Sequence, residues 1–208
     1  MSETMNMNST AAAPHPIVID AAAKWAREAG AAPASLEEIR LTQNERLLIP
    51  FTSSIEEIDL HYLDYPSMRG YTRCNGAGCL LCRIGRTTDK RDLLPVYDVI
   101  SQTVGVLPVS PNIRPQALRP QLSPVMSKVA SGAILLLAVQ KLDNYRFSVT
   151  ELPLQDGADD GAEKIAQFRE RCDAGNVSLA SIYQQMSNEL LATLPEVAIM
   201  MKAKGVSA

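Results

Sequence analysis

Three of the chain's four cysteines, Cys74, Cys79 and Cys82, fall within nine residues with the spacing C-x4-C-x2-C. Two thiolates separated by two residues can point at one ion, with the backbone N–H groups of the turn facing the sulfurs. Asn75, Gly76 and Gly78 are turn formers, so Cys74 can fold back onto the same point. In a reducing compartment such clusters mean metal or catalysis more often than disulfides. A closed tetrahedral zinc (Zn2+) site needs a fourth ligand. Two residues offer one: His61, thirteen positions before Cys74, and Cys172, about ninety residues later in an expected helix. The alternative occupant is a [2Fe–2S] cluster, because the plant-type ligand pattern also begins C-x4-C-x2-C. Against it stand the arginine-rich flanks and the absence of a fourth cysteine a few tens of residues on. A thioredoxin-like role is weaker still, because the C-L-L-C pair opens no helix within a βαβ pattern.

The cysteines are embedded in Arg69, Arg73, Arg83, Arg86, Lys90 and Arg91, interleaved with Tyr62, Tyr65 and Tyr71 and followed by Tyr97. Guanidinium groups neutralise phosphates, and aromatic faces stack on unpaired bases at roughly 1–3 kcal/mol each. Only 5% of the chain is aromatic, yet four of its six tyrosines lie between residues 62 and 97. These ten side chains are the expected nucleic-acid contacts. Enzyme signatures are missing: the sequence has no P-loop, G-x-S-x-G, H-E-x-x-H or GxGxxG. The deaminase pattern fails as well, since His61 precedes Tyr62-Leu63 and Cys79 follows Gly78. A non-enzymatic protein is expected.

The elements that must position these groups read as follows. Residues 1–16 are small, polar and Pro-containing, and are expected to be a disordered tail. Residues 17–37 hold a short helix, Asp20 to Gly30, and a connector. Residues 38–154 are strand-like: 45–51, 55–63, 93–100 and 103–110, then a Pro-punctuated stretch with a helical turn or two at 115–128, then 132–142 and 146–154. Asp143–Tyr145 suits a tight hairpin turn. Three strands, a helix and a hairpin suit a small barrel of the oligonucleotide-binding (OB) type, with an SH3-like barrel or an irregular α+β sheet as alternatives. The fold class is thus mostly β with appended helices (α+β), with the cysteine knuckle inserted in the barrel. A polar, acidic linker at 155–163 leads to a helical C-terminal region at 164–208. There 178–194 reads as one amphipathic helix that packs onto the barrel or meets a partner, and Pro195 interrupts it.

The net charge of −3 is unevenly spread. Residues 65–120 carry eight basic and three acidic side chains, whereas 151–173 carry seven acidic and three basic ones. No apolar run approaches the ~18 residues of a membrane span, and no secretory signal is visible, so a cytoplasmic location without membrane contact is expected.

With twelve residues between His61 and Cys74 and a C-x2-C knuckle on a small barrel, the chain resembles the zinc-containing single-stranded-DNA-binding proteins of tailed bacteriophages. The resemblance covers roughly residues 38–154. It implies an OB-fold, a structural zinc held by His61, Cys74, Cys79 and Cys82, and a cleft of basic and aromatic residues. It also implies largely sequence-independent binding of single-stranded DNA in phage or mobile-element replication or recombination, in the host cytoplasm. The chain departs from the family in two ways: its gap between the first two cysteines is shorter, and it ends KAKGVSA rather than in an acidic tail. Replication or recombination proteins meeting the C-terminal helix, and self-association, are the further partners expected. The other readings are a [2Fe–2S] electron carrier and a zinc-knuckle adaptor for protein partners.

Overall fold

Short runs of apolar residues broken by polar turns build one eight-stranded sheet. The computed structural model of the chain describes residues 36–52, 54–155, 159–175 and 177–207. The expected N-terminal tail and the helix at 20–30 lie outside them. The strands are β1 (Glu37–Glu38), β2 (Arg46–Pro50), β3 (Glu56–Asp64), β4 (Arg69–Arg73), β5 (Asp89–Asp98), β6 (Thr103–Val109), β7 (Leu136–Lys141) and β8 (Phe147–Leu152). The helices are α1 (Leu80–Arg83), α2 (Leu118–Ala130), α3 (Ala162–Asp173), α4 (Asn188–Ala192) and α5 (Pro195–Lys204). The class is α+β. None of the described helices is long and apolar enough to cross a membrane.

The main path of the sheet is β1-β6-β5-β2-β7-β8. β5 is its spine, buried from Asp92 to Asp98 because it has neighbours on both edges. β2 and β3 follow one another along the same edge of β5: Pro50 faces Val96 and Glu56 faces Leu93. β3 then overshoots the start of β5 and pairs with β4, setting His61 opposite Thr72 and Tyr62 opposite Tyr71. That overshoot is the arm that carries the cysteine knuckle.

The expected barrel does not close. Closure would need β6 and β8 to meet, but β6 takes β1 on that edge and α2 serves β8. Leu118, Leu122 and Val125 of α2 share a core with Leu107 and Val109 of β6. On the other side Gln121 imitates a strand: its Nε2 donates to the Phe147 carbonyl (2.8 Å) and its Oε1 accepts from the Val149 N–H (3.2 Å). With those edge groups satisfied, β8 has little to gain from another strand. The helix at 118–130 is also longer than the one or two turns expected. Its Pro120 falls in the first turn, where the N–H lacks an intrahelical acceptor anyway.

The second correction concerns 178–194. Instead of one helix there is a 3-10 turn (Leu179–Ile182), an extended stretch and then α4. Ser187 ends the extended stretch and caps α4, its side chain accepting from the Leu190 N–H. Pro195, expected to interrupt a helix, stands at the start of α5. α4 and α5 do pack inward, with Leu191 and Val197 fully buried against Leu63, Leu80, Leu81 and Ile84 of the knuckle.

Candidate metal centre and the cleft beside it

β3 ends by bringing His61 inward, and its hairpin partner β4 delivers Cys74, whose N–H donates to the Asp59 carbonyl (2.9 Å). A 3-10 turn, Gly76–Gly78, reverses the chain so that Cys79 and Cys82 bracket the start of α1. The two residues between them, Leu80 and Leu81, are fully buried and anchor this loop in the core.

Four donor atoms converge here, all within 4.8 Å of one another. His61 Nε2 lies 3.4 Å from Cys79 Sγ and 3.5 Å from Cys82 Sγ, and Cys74 Sγ lies 3.6 Å from Cys82 Sγ. Tetrahedral bonds of about 2.3 Å to sulfur and 2.0 Å to nitrogen would set neighbouring sulfurs ~3.8 Å apart and sulfur from nitrogen ~3.5 Å. The spacing therefore fits a single tetrahedral ion. The ring is oriented for it: His61 Nδ1 lies 3.1 Å from the Thr87 carbonyl, which fixes the proton there and leaves Nε2 for a ligand. The fourth donor is His61 and not Cys172, which lies elsewhere, against the cluster of Ile49, Phe51, Tyr97 and Phe168.

The protonation tendencies of these groups have local causes. Burial lowers the pKa of His61, partly opposed by the Thr87 carbonyl, so the neutral ring is favoured. Burial raises Cys74, and raises Cys82 to about 12 with the help of its sulfur neighbours. Burial also works to raise Cys79, but backbone N–H groups of Cys82 and Asn75 outweigh it, and that thiol lies below its ordinary value.

The expected nucleic-acid contacts separate into groups. Tyr62 and Tyr71 form a cross-strand pair with ring centroids 5.0 Å apart, and Tyr71 meets Tyr183 edge-on at 6.1 Å. Arg69 donates to the Tyr62 hydroxyl, and Arg91 sits over the Tyr71 ring while paired with Asp89. Arg86 lies over Tyr65 and donates to the Tyr62 carbonyl, so both belong to the knuckle. Arg83 is exposed on α1, Lys90 pairs with Asp59, and Arg73 lines a separate hollow with Glu56 and Cys74. Tyr97 is a correction. It is fully buried, donates to Asp159 Oδ2 (2.5 Å), and is held neutral to about pH 12 by burial and that carboxylate. It has no face to offer a base.

Tyr71, Arg91 and Tyr183 form one wall of a cleft of about 460 Å3. Glu38, Arg40, Asn112, Lys141 at the end of β7, and Asn144 and Tyr145 of the β7–β8 turn are among the polar groups around the rest of it. Tyr145 is 64% exposed and Tyr62 39%. Sequence reasoning missed Arg40, Lys141, Tyr145 and Tyr183, which sit far from the cysteines along the chain. The only signal for Tyr145 was its place in a hairpin turn.

Asn188 was missed as well. Its Oδ1 accepts from the Leu80 N–H and from Asn75 Nδ2 (both 3.0 Å), and its Nδ2 donates to the Gly78 carbonyl (2.9 Å). It thereby holds the backbone on both sides of Cys79. Compared with protein-family models, with curated proteins and with solved structures, the chain matches none of them.

Proposed function

We propose that the protein binds single-stranded DNA, largely independently of sequence, through this cleft, with a structural zinc at His61, Cys74, Cys79 and Cys82. The observation that carries the reading is the pair Tyr62–Tyr71, backed by the buried Tyr183, leading into a cleft that also holds Arg40, Arg91, Lys141 and the exposed Tyr145. Ring faces for unstacked bases beside cations for phosphates are what a single strand requires. The topology supports it. With β2 and β3 counted as the first strand, the order of three strands, helix and hairpin is that of an OB-fold, here left open. Such folds take oligonucleotides across their second and third strands, between the loops after the first and fourth. The corresponding loops in this chain are the cysteine insertion and the β7–β8 turn, and the cleft lies between β6 and that turn.

Zinc is favoured over [2Fe–2S] because the four donors converge within 4.8 Å, which suits one ion. For the adaptor reading, Leu191 and Val197 are already taken up against the knuckle, which leaves Leu190 and Ile199 as the exposed apolar residues of the terminal helices. A role in phage or mobile-element replication or recombination is the context that this binding would serve.

The test is fluorescence anisotropy of the zinc-loaded protein with a labelled ~30-nucleotide strand, single and duplex. Preference for the single strand is expected, weakened by Tyr145→Ala and by Tyr62→Ala at roughly 1–3 kcal/mol for each stacked base lost. Equal affinity for duplex, or no binding at low salt, refutes it.

A further inference from the structure

The short stretch Tyr183–Asn188 touches both the metal loop and the cleft. Tyr183 is 6% exposed, forms part of the cleft wall, and donates its hydroxyl to Glu38 Oε1 (3.3 Å). From there the chain runs extended along β4. The Gln184 carbonyl accepts from the Arg73 N–H and from the Thr72 hydroxyl (both 3.0 Å), and the Met186 N–H donates to that same hydroxyl (3.3 Å). The Met186 carbonyl accepts from Asn75 Nδ2 (2.9 Å), and Asn188 then grips Gly78 and Leu80 on either side of Cys79.

Every anchor beyond Thr72 and Arg73 is a knuckle residue, and although Leu80 and Leu81 root the knuckle in the core, it has little regular structure to hold its shape. Its 3-10 turn is three residues long and its helix four, below what backbone hydrogen bonds alone sustain. Ligation of Cys74, Cys79 and Cys82 is what would fix the Asn75, Gly78 and Leu80 groups that Asn188 and Met186 use.

We infer that residues 183–188 are a strap through which the metal centre positions Tyr183 in the cleft, so that metal and single strand bind cooperatively. This rests on the cleft being the site of the strand. Losing the metal loosens the knuckle and frees Asn188, and Tyr183, which keeps its packing against Leu60, Leu93 and Val106 and its bond to Glu38, loses the hold that sets its ring against Tyr71. Coupling of this kind is reciprocal, so the strand must tighten the metal by the factor that the metal tightens the strand. Asn188 is thus a positioning residue that touches neither the metal nor, on this geometry, the strand.

The test uses the full chain with two independent readouts. In hydrogen exchange, the Arg73 and Met186 amides should be protected with zinc and exposed on its removal, while Val96 and Val139 stay protected. Equal protection of Arg73 and Met186 in both states overturns the strap. In anisotropy, removing zinc should weaken oligonucleotide binding about tenfold or more, and saturating oligonucleotide should slow zinc loss to a chelator. Asn188→Ala should still take up one zinc yet lose most of this coupling. Thr72→Val, which cuts the middle of the strap, should do the same. Coupling of wild-type size in both variants overturns the inference. If the zinc-loaded wild type binds no oligonucleotide, the single-strand reading and the cooperativity fall together, and exchange alone decides whether the metal holds Tyr183.

Discussion

At the scale of single residues, the identity of the fourth ligand makes the sharpest claim. Cys172→Ala should leave one metal ion per chain, whereas His61→Ala should release it or weaken it by more than tenfold, as metal analysis after gel filtration would show. Metal loss from Cys172→Ala would refute the site. Protons give a second check. Cys74 and Cys82 are raised and therefore hold their protons near neutral pH when no metal is bound. Loading must expel them, so zinc affinity rises with pH and falls as the solution is acidified. Adding zinc to weakly buffered protein should lower the pH, and uptake without acidification would contradict the ligand set. Much of this centre was legible in the sequence because its spacing is local: C-x4-C-x2-C needs only one turn, and a β-hairpin spans the interval from His61 to Cys74. Asn188 was not legible. It lies more than a hundred residues from the groups it holds, and one asparagine in a polar stretch carries no periodicity. Tyr97 misled for the opposite reason: adjacency to the basic region said nothing about which face of β5 it occupied.

At the scale of elements, the same contrast between local and distant partners decides what could be read. β2, β3, β5, β6, β7 and β8 carry their own apolar runs and were anticipated. β4, with the sequence RGYTR, has no apolar alternation and exists because β3 overshoots β5 and needs a partner. The stretch 178–194 looked helical because its apolar spacing suits 3.6 residues per turn. Its carbonyls and N–H groups instead find β4 and Asn75, a long-range competitor that no local pattern reveals. Gln121 tests the account of the open sheet. Gln121→Ala should uncover the Phe147 carbonyl and the Val149 N–H, cost about 1–3 kcal/mol in denaturant unfolding, and promote self-association through the β8 edge. Unchanged stability and unchanged elution on gel filtration would show that the helix, and not this amide, keeps the edge closed. The entry to α3 is equally constrained. Gly161 sits at φ +65°, and a Cβ there would lie 2.6 Å from the Tyr97 ring. Gly161→Ala combines a left-handed backbone with a clash against a fully buried side chain. It should lower stability by roughly 2–4 kcal/mol by thermal or denaturant unfolding.

At the scale of the whole molecule, half of the eight cations in the basic middle of the sequence prove to be ion-paired. Lys90 pairs with Asp59, Arg91 with Asp89, Arg69 with Asp64 and Arg119 with Asp92, and at the cleft Arg40 pairs with Glu38. Asp59, Asp64 and Glu38 lie outside the stretch 65–120, so an account of charge confined to it missed these partners. Among the described residues, Arg73, Arg83, Arg86, Arg114 and Lys141 form no such ion pair, and only Lys141 of these lines the cleft. A strand laid there would therefore gain about three or four phosphate contacts at most, from Lys141 and from those pairs that can open toward it. Each contact with single-stranded nucleic acid contributes about −0.7 to the slope of log affinity against log salt. The expected slope is thus about −2 to −3, shallow for a DNA-binding protein, with ring stacking supplying the salt-independent remainder. Anisotropy titrations between about 50 and 400 mM salt would measure it. A slope steeper than about −5 would mean that Arg73, Arg83 and Arg86 join the contact, and that the strand continues from the cleft across the knuckle rather than ending at Tyr62.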